Sequence, residues 1–145
     1  GKKNLQSLYE QLEMIKKLLA ITILGMLLSS NSFAGWFDKD KIIVTKCYDL
    51  SKYKNFSSEK KALAGTEYDF TKWQWELNLK TNQAIRTTIL KGKLSLDQFP
   101  INIITEEYVI VKNTSGIGSD FQFDLLNELY IIDAYGVITL QCKFK

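Results

Sequence analysis

From residue 41 onward, apolar and polar positions alternate with period two in one short segment after another. Phe70–Lys80 shows the pattern most clearly: Trp73, Trp75, Leu77 and Leu79 fall on one side of an extended chain, and Lys72, Gln74, Glu76, Asn78 and Lys80 on the other. Lys41–Leu50 is rich in β-branched residues and predicts the first strand. After the turn residues Thr81 and Asn82, Ala84–Leu90 returns as a hairpin partner. Gly92–Pro100 is expected to be a loop, and Ile101–Thr105 with Tyr108–Lys112 one bent strand or two short ones. Asn113–Ser119 is a Gly/Ser-rich connection. Phe121–Leu125, Leu129–Asp133 and Val137–Phe144 complete the strands, the last two joined by Ala134, Tyr135 and Gly136. One stretch breaks the rhythm: Ser51–Asp69 is rich in Lys and Ser. Within it, residues 58–64 predict a short helix with a serine cap and Gly65 as its stop. About seven short strands with hairpin-length loops predict a mainly β fold, an antiparallel meander closing as a barrel or a two-sheet sandwich.

The N-terminal region carries a different pattern. Lys16 and Lys17 precede an uninterrupted apolar run, Leu18–Leu28, then the polar Ser29-Ser30-Asn31 and the small residues Ser32 and Ala34 flanking Phe33. That order of charge, apolar run and small-residue site reads as a secretory signal peptide over Met14–Ala34. The run is about half as long as a helix needs to cross a bilayer, so a cleaved leader is expected rather than an anchor. Upstream, Leu5, Leu8, Tyr9, Leu12 and Ile15 fall on one face of a helix. The expected organisation is therefore residues 1–34, comprising an upstream segment and the leader, followed by a single β-rich domain over residues 35–145. Its expected location is periplasmic or extracellular.

Export changes the reading of the two cysteines. An even pair in an oxidising compartment predicts a disulfide between Cys47 and Cys142, stapling the first strand to the last. Residues 35–145 hold 15 Lys and Arg against 14 Asp and Glu, so no basic surface for nucleic acid is expected.

Candidate chemistry is sparse. The chain has no histidine, which removes Ser-His-Asp and Cys-His nucleophilic catalysis and the commonest zinc ligand. A bonded cysteine pair offers no thiol. Glu106 and Glu107 are adjacent, so on a strand they would point to opposite faces. Asp38 and Asp40 read as surface charges, and a carboxylate-based hydrolase needs two such groups converging in a groove. Gly116-Ile117-Gly118 lacks the third glycine and the strand-to-helix setting of a dinucleotide loop. Asn55-Phe56-Ser57 and Asn113-Thr114-Ser115 match the N-glycosylation acceptor pattern. No catalytic residue, metal site or cofactor is expected.

Trp73 and Trp75 remain as candidate ligand contacts, since two tryptophans on one strand face can line an apolar pocket as well as fill a core. The expected function is a non-enzymatic binding or structural protein. A carrier of an apolar ligand in a small β-barrel is the alternative, and a carboxylate hydrolase ranks behind both. The expected partner is a protein or a small apolar ligand, with membrane contact only through the leader before cleavage. In architecture the predicted domain resembles small two-cysteine periplasmic β-proteins, among them bacterial lysozyme inhibitors; no inhibitor motif accompanies that resemblance.

Cleavage is expected between Ala34 and Gly35. Intact mass and N-terminal sequencing of exported protein check this, and a mature species that keeps Leu18–Leu28 contradicts it.

Overall fold

The computed structural model describes residues 6–16 and 39–145. Chain contacts divide the protein into residues 1–37 and 38–145. In the first unit, residues 6–16 form helix α1, with every residue exposed, as the spacing of Leu8, Tyr9, Leu12 and Ile15 predicts. Most of the leader, the expected cleavage point and Asp38 lie outside the described residues. Among the described residues, no helix is long and apolar enough to cross a membrane.

The second unit is an eight-stranded antiparallel barrel. Its strands run in sequence order: β1 (Lys41–Asp49), β2 (Gln74–Asn78), β3 (Gln83–Leu90), β4 (Lys93–Ile104), β5 (Tyr108–Val111), β6 (Phe121–Asp124), β7 (Leu129–Asp133) and β8 (Val137–Phe144). Each strand pairs with the next, and β8 pairs with β1, so the sheet closes with no free edge. Between β1 and β2 the chain makes helix α2 (Phe56–Leu63) and a 3₁₀ turn (Phe70–Lys72). The mainly β class and the barrel alternative of the sequence reading are thus the observed fold.

Local differences have identifiable causes. Eight strands replace seven because Ile101–Thr105 and Tyr108–Lys112 do not form one bent strand. At their junction Thr105 Oγ1 accepts from the backbone N–H groups of Glu107 and Tyr108 and reverses the chain. Gly92–Pro100 is not a loop. Lys91 and Gly92 both have positive φ (50° and 77°), which makes the two-residue hairpin turn that suits strand twist, so β4 starts at once at Lys93. Pro100 is tolerated inside β4 because the β4–β5 register shifts just beyond it, between Ile101 and Ile103. Helix α2 begins two residues earlier than expected. Its cap is Asn55, whose side chain accepts from the Ser58 N–H, and not a serine.

Alternation supplies the core. Ile42, Val44, Trp75, Leu77, Val109, Val111, Phe123 and Leu140 are all at most 1% exposed. Trp75 lies at the centre of an aromatic cluster, with ring centroids 5.1–5.6 Å from Phe99, Phe121, Phe123 and Tyr130. Phe123 and Tyr130 stack at 4.8 Å. Such pairs add about 0.5–1.5 kcal/mol each beyond area burial.

Closure is covalent as well as hydrogen-bonded. The β1–β8 register shifts between Thr45 and Tyr48, where Lys46 adopts φ 54°. Two residues of β1 therefore face one of β8, a bulge that brings Cys47 opposite Cys142. The two are joined by a disulfide with Cα atoms 4.1 Å apart, 95 positions apart in sequence.

Helix α2 packs on β1 and on the 3₁₀ turn, and it buries Glu59 completely. Neither carboxylate oxygen of Glu59 has a hydrogen-bond partner of ordinary geometry. Burial raises its pKa to about 7. The Asp49 amide opposes that rise, while the Asp49 and Asp69 carboxylates add to it. The folded state therefore holds a proton on Glu59 that the unfolded chain releases near pH 4.5.

Two outcomes are expected. Reducing the disulfide removes about 2–4 kcal/mol, since it closes a loop of nearly a hundred residues; denaturant unfolding with and without a reductant measures it. Stability should also fall as pH rises from about 4.5 to about 7, by up to ~3 kcal/mol, and level off above that. In Glu59→Gln this slope should be missing from urea titrations across the same range.

Candidate functional site

In an up-and-down barrel the turns gather at two ends. The end formed by the β1–β2, β3–β4, β5–β6 and β7–β8 connections holds a cavity of about 610 Å³ that is open to solvent. Its depth follows from the layering of the interior. Eight strands enclose a space just large enough for side chains to fill or for one small ligand. Here the aromatic cluster fills the lower part, and the upper part is left open. Ile132 and Ile138 of paired strands β7 and β8, together with Trp73 and Phe121, give the cavity mostly apolar walls.

Arg86 stands at the inner end. In β3, Ala84, Arg86, Thr88 and Leu90 occupy one alternate set, and Arg86 is the chain's one arginine. The sheet register aligns it with Trp75 on β2 and Asp97 on β4. Its guanidinium carbon lies 5.1–5.8 Å from the ring centroids of Trp73, Trp75, Phe99 and Phe121. A cation ringed by aromatic faces is attracted by their quadrupoles and shielded from water. Nη2 donates to Asp97 Oδ2 at 3.1 Å, a contact that leaves Arg86 19% and Asp97 43% exposed.

Tyr130 reaches the same floor from β7 and is 1% exposed. Burial pushes its phenol well above the ordinary value; the Arg86 charge and the nearby Trp75 and Arg86 donors oppose this only in part. The hydroxyl is therefore neutral at any physiological pH. Its oxygen, Arg86 Nε and Trp73 Nε1 are all buried and all lack a hydrogen-bond partner of ordinary geometry. Native interiors leave few such groups unpaired, because each unpaired group costs about 1–3 kcal/mol.

The rim combines fixed loops with exposed apolar side chains. Asn113 Nδ2 donates to the carbonyls of Ile117 and Ser119, and the Ser119 N–H donates to Asp133 O, tying the β5–β6 loop to the β7–β8 hairpin. The two segments approach so closely at Gly118 that a Cβ there would lie 2.5 Å from Asp133 O. Around this rim Tyr68, Ile117, Tyr135 and Val137 are 54–96% exposed.

Trp73 and Trp75, paired in the sequence reading, have different positions. The strand begins only at Gln74, and Trp73 is the residue that caps the 3₁₀ turn, half-buried, with its ring edge-on to Phe70 at 4.7 Å. Trp73 lines the cavity; Trp75 lies below it in the core and touches the floor residues Phe121 and Tyr130. Glu106 and Glu107 occupy the exposed β4–β5 turn at the other end, and Asp40 is exposed beside β1. Among the described residues, no three His, Cys, Asp or Glu side chains are placed to hold a metal ion. Asn55 and Asn113, the two glycosylation-pattern asparagines, serve as a helix cap and a loop tie.

Sequence reasoning missed Arg86 and Tyr130. The available signal was the lone arginine, among many lysines, on the same alternate positions as Ala84 and Thr88. No family model, curated protein or solved structure matches the chain.

The two tryptophans should separate on mutation. Trp75→Ala is expected to cost about 3–5 kcal/mol, as large core truncations do. Trp73→Ala should cost only about 1–2 kcal/mol, because one side of its ring faces the cavity. Urea unfolding of both variants measures the difference.

Proposed function

We propose that this disulfide-bonded barrel is an exported, non-enzymatic binding protein that carries one small, largely apolar ligand in the cavity at its open end. The observation that carries the reading is the cavity itself: about 610 Å³, walled mainly by aromatic and aliphatic side chains, with a few polar groups at its floor. Ligand pockets have this size and composition. The exposed apolar residues around the rim support it, since they extend the same surface outward to where a ligand enters. Loops fixed by Asn113 and by the close approach at Gly118 support a site formed before the ligand arrives, which lowers the entropy lost on binding. Export is supported by the leader pattern over Met14–Ala34 and by the bonded cysteines, which persist in oxidising compartments.

A neutral environment-sensitive dye, N-phenyl-1-naphthylamine, tests the reading. It should bind the oxidised protein at one site with micromolar affinity, gain fluorescence and quench tryptophan emission. Ile138→Trp places a large ring into the cavity and should weaken dye binding at least tenfold while unfolding at a similar urea concentration. No saturable dye binding, or equal binding by the filled variant, contradicts the proposal.

A further inference from the structure

The polar groups at the cavity floor say what kind of ligand fits, and this inference rests on the binding reading above. The three unpartnered groups there are Arg86 Nε, Trp73 Nε1 and Tyr130 Oη. The first two only donate hydrogen bonds, and the third is a neutral hydroxyl with a proton to donate. The complement of such a set is a group rich in lone pairs and without donors of its own.

Charge narrows the choice. Asp97 accepts from Nη2 alone and is nearly half exposed, so water screens its charge. The guanidinium is held among the faces of four aromatic rings, which attract its charge. The other charged residues lining the cavity, Asp49 and Lys52, have opposite signs. The part of the guanidinium not engaged by Asp97 suits a single negative charge, and a planar carboxylate matches the guanidinium fork. The walls above are apolar up to the rim, so the remainder of the ligand must be apolar too.

We infer that the ligand is a monocarboxylate with an apolar tail, its head group bound at the floor by Arg86, Tyr130 and Trp73 and its tail lying between Ile132 and Ile138 toward the rim. The geometry gives Arg86, Trp73 and Tyr130 one common role: their acceptor arrives with the ligand. It also explains the single arginine, because a lysine would offer a point charge without the flat, stackable fork that the aromatic ring requires.

Competition against N-phenyl-1-naphthylamine with decanoate and with decan-1-ol tests the head group separately from the cavity. Decanoate should displace the dye at a concentration at least tenfold lower than decan-1-ol. Tyr130→Phe removes an oxygen that has no hydrogen-bond partner of ordinary geometry in the unliganded protein, so it should unfold at a similar urea concentration. It should nevertheless lose three- to tenfold in decanoate affinity and none for decan-1-ol. Trp73→Phe should behave the same way, and Arg86→Gln should abolish the preference for the acid. If the acid and the alcohol compete equally in the wild-type protein, the head-group inference is overturned while the binding reading stands. If the dye binds and neither competitor displaces it, the inference is likewise overturned. Failure of the dye itself to bind overturns both.

Discussion

Closure of the sheet between β1 and β8 is the constraint on which the rest of this structure depends. An eight-stranded meander left open would expose two strand edges and an aromatic interior to solvent. Pairing β8 with β1 removes both edges, and the Cys47–Cys142 bond fixes that pairing at the bulge. The bulge is itself necessary. Without the left-handed conformation of Lys46, strict alternation along β1 would place Cys47 and Asp49 on the same set as Thr45. Instead, Ile42 and Val44 face inward before the shift, and Cys47 and Asp49 after it.

Once closed, the barrel has a fixed interior, and large rings fill it unevenly. Trp75, Phe99, Phe121, Phe123 and Tyr130 pack edge-to-face or stacked in the central and lower part. Above them the inward positions pass to Arg86, Ile132 and Ile138, which leave an open space. The same aromatic cluster is thus both the main source of core packing and the floor of the cavity. That double role accounts for the environment of Arg86: the rings that stabilise the barrel also surround the guanidinium and keep it in place. The long β1–β2 connection adds the outer wall through Tyr68, Phe70 and Trp73, held against β1 by helix α2 and its buried Glu59.

Buried Glu59 and the unpaired floor donors are polar groups with different consequences. Glu59 lies under helix α2 beside Asp49 and Asp69, and burial raises its pKa to about 7, so it becomes neutral by taking up a proton. It makes the helix pH-sensitive without a ligand. The floor donors have no such escape, since a guanidinium stays charged and indole and phenol stay neutral.

Period-two alternation was enough to determine the class of fold, most strand positions and the inward direction of Cys142. These depend on local geometry, because successive side chains of a strand point to opposite faces whatever the strand pairs with. The even cysteine pair, read beside an expected leader, likewise made Cys47 and Cys142 partners before any distance was known. Alternation could not tell that Trp73 precedes the strand that buries Trp75, because Trp73 already has an extended backbone (φ −85°, ψ 145°) where it caps the 3₁₀ turn. Nor could it show that Lys91-Gly92 turns the chain directly into β4, a matter of φ rather than of hydropathy. The candidate site was beyond sequence altogether. Arg86, Trp73 and Tyr130 are separated by tens of residues, and they meet only because the strands pair in a particular register and the sheet closes. Register and closure are set by packing among distant segments, so tertiary structure alone decided where the cavity lies and which donors reach its floor.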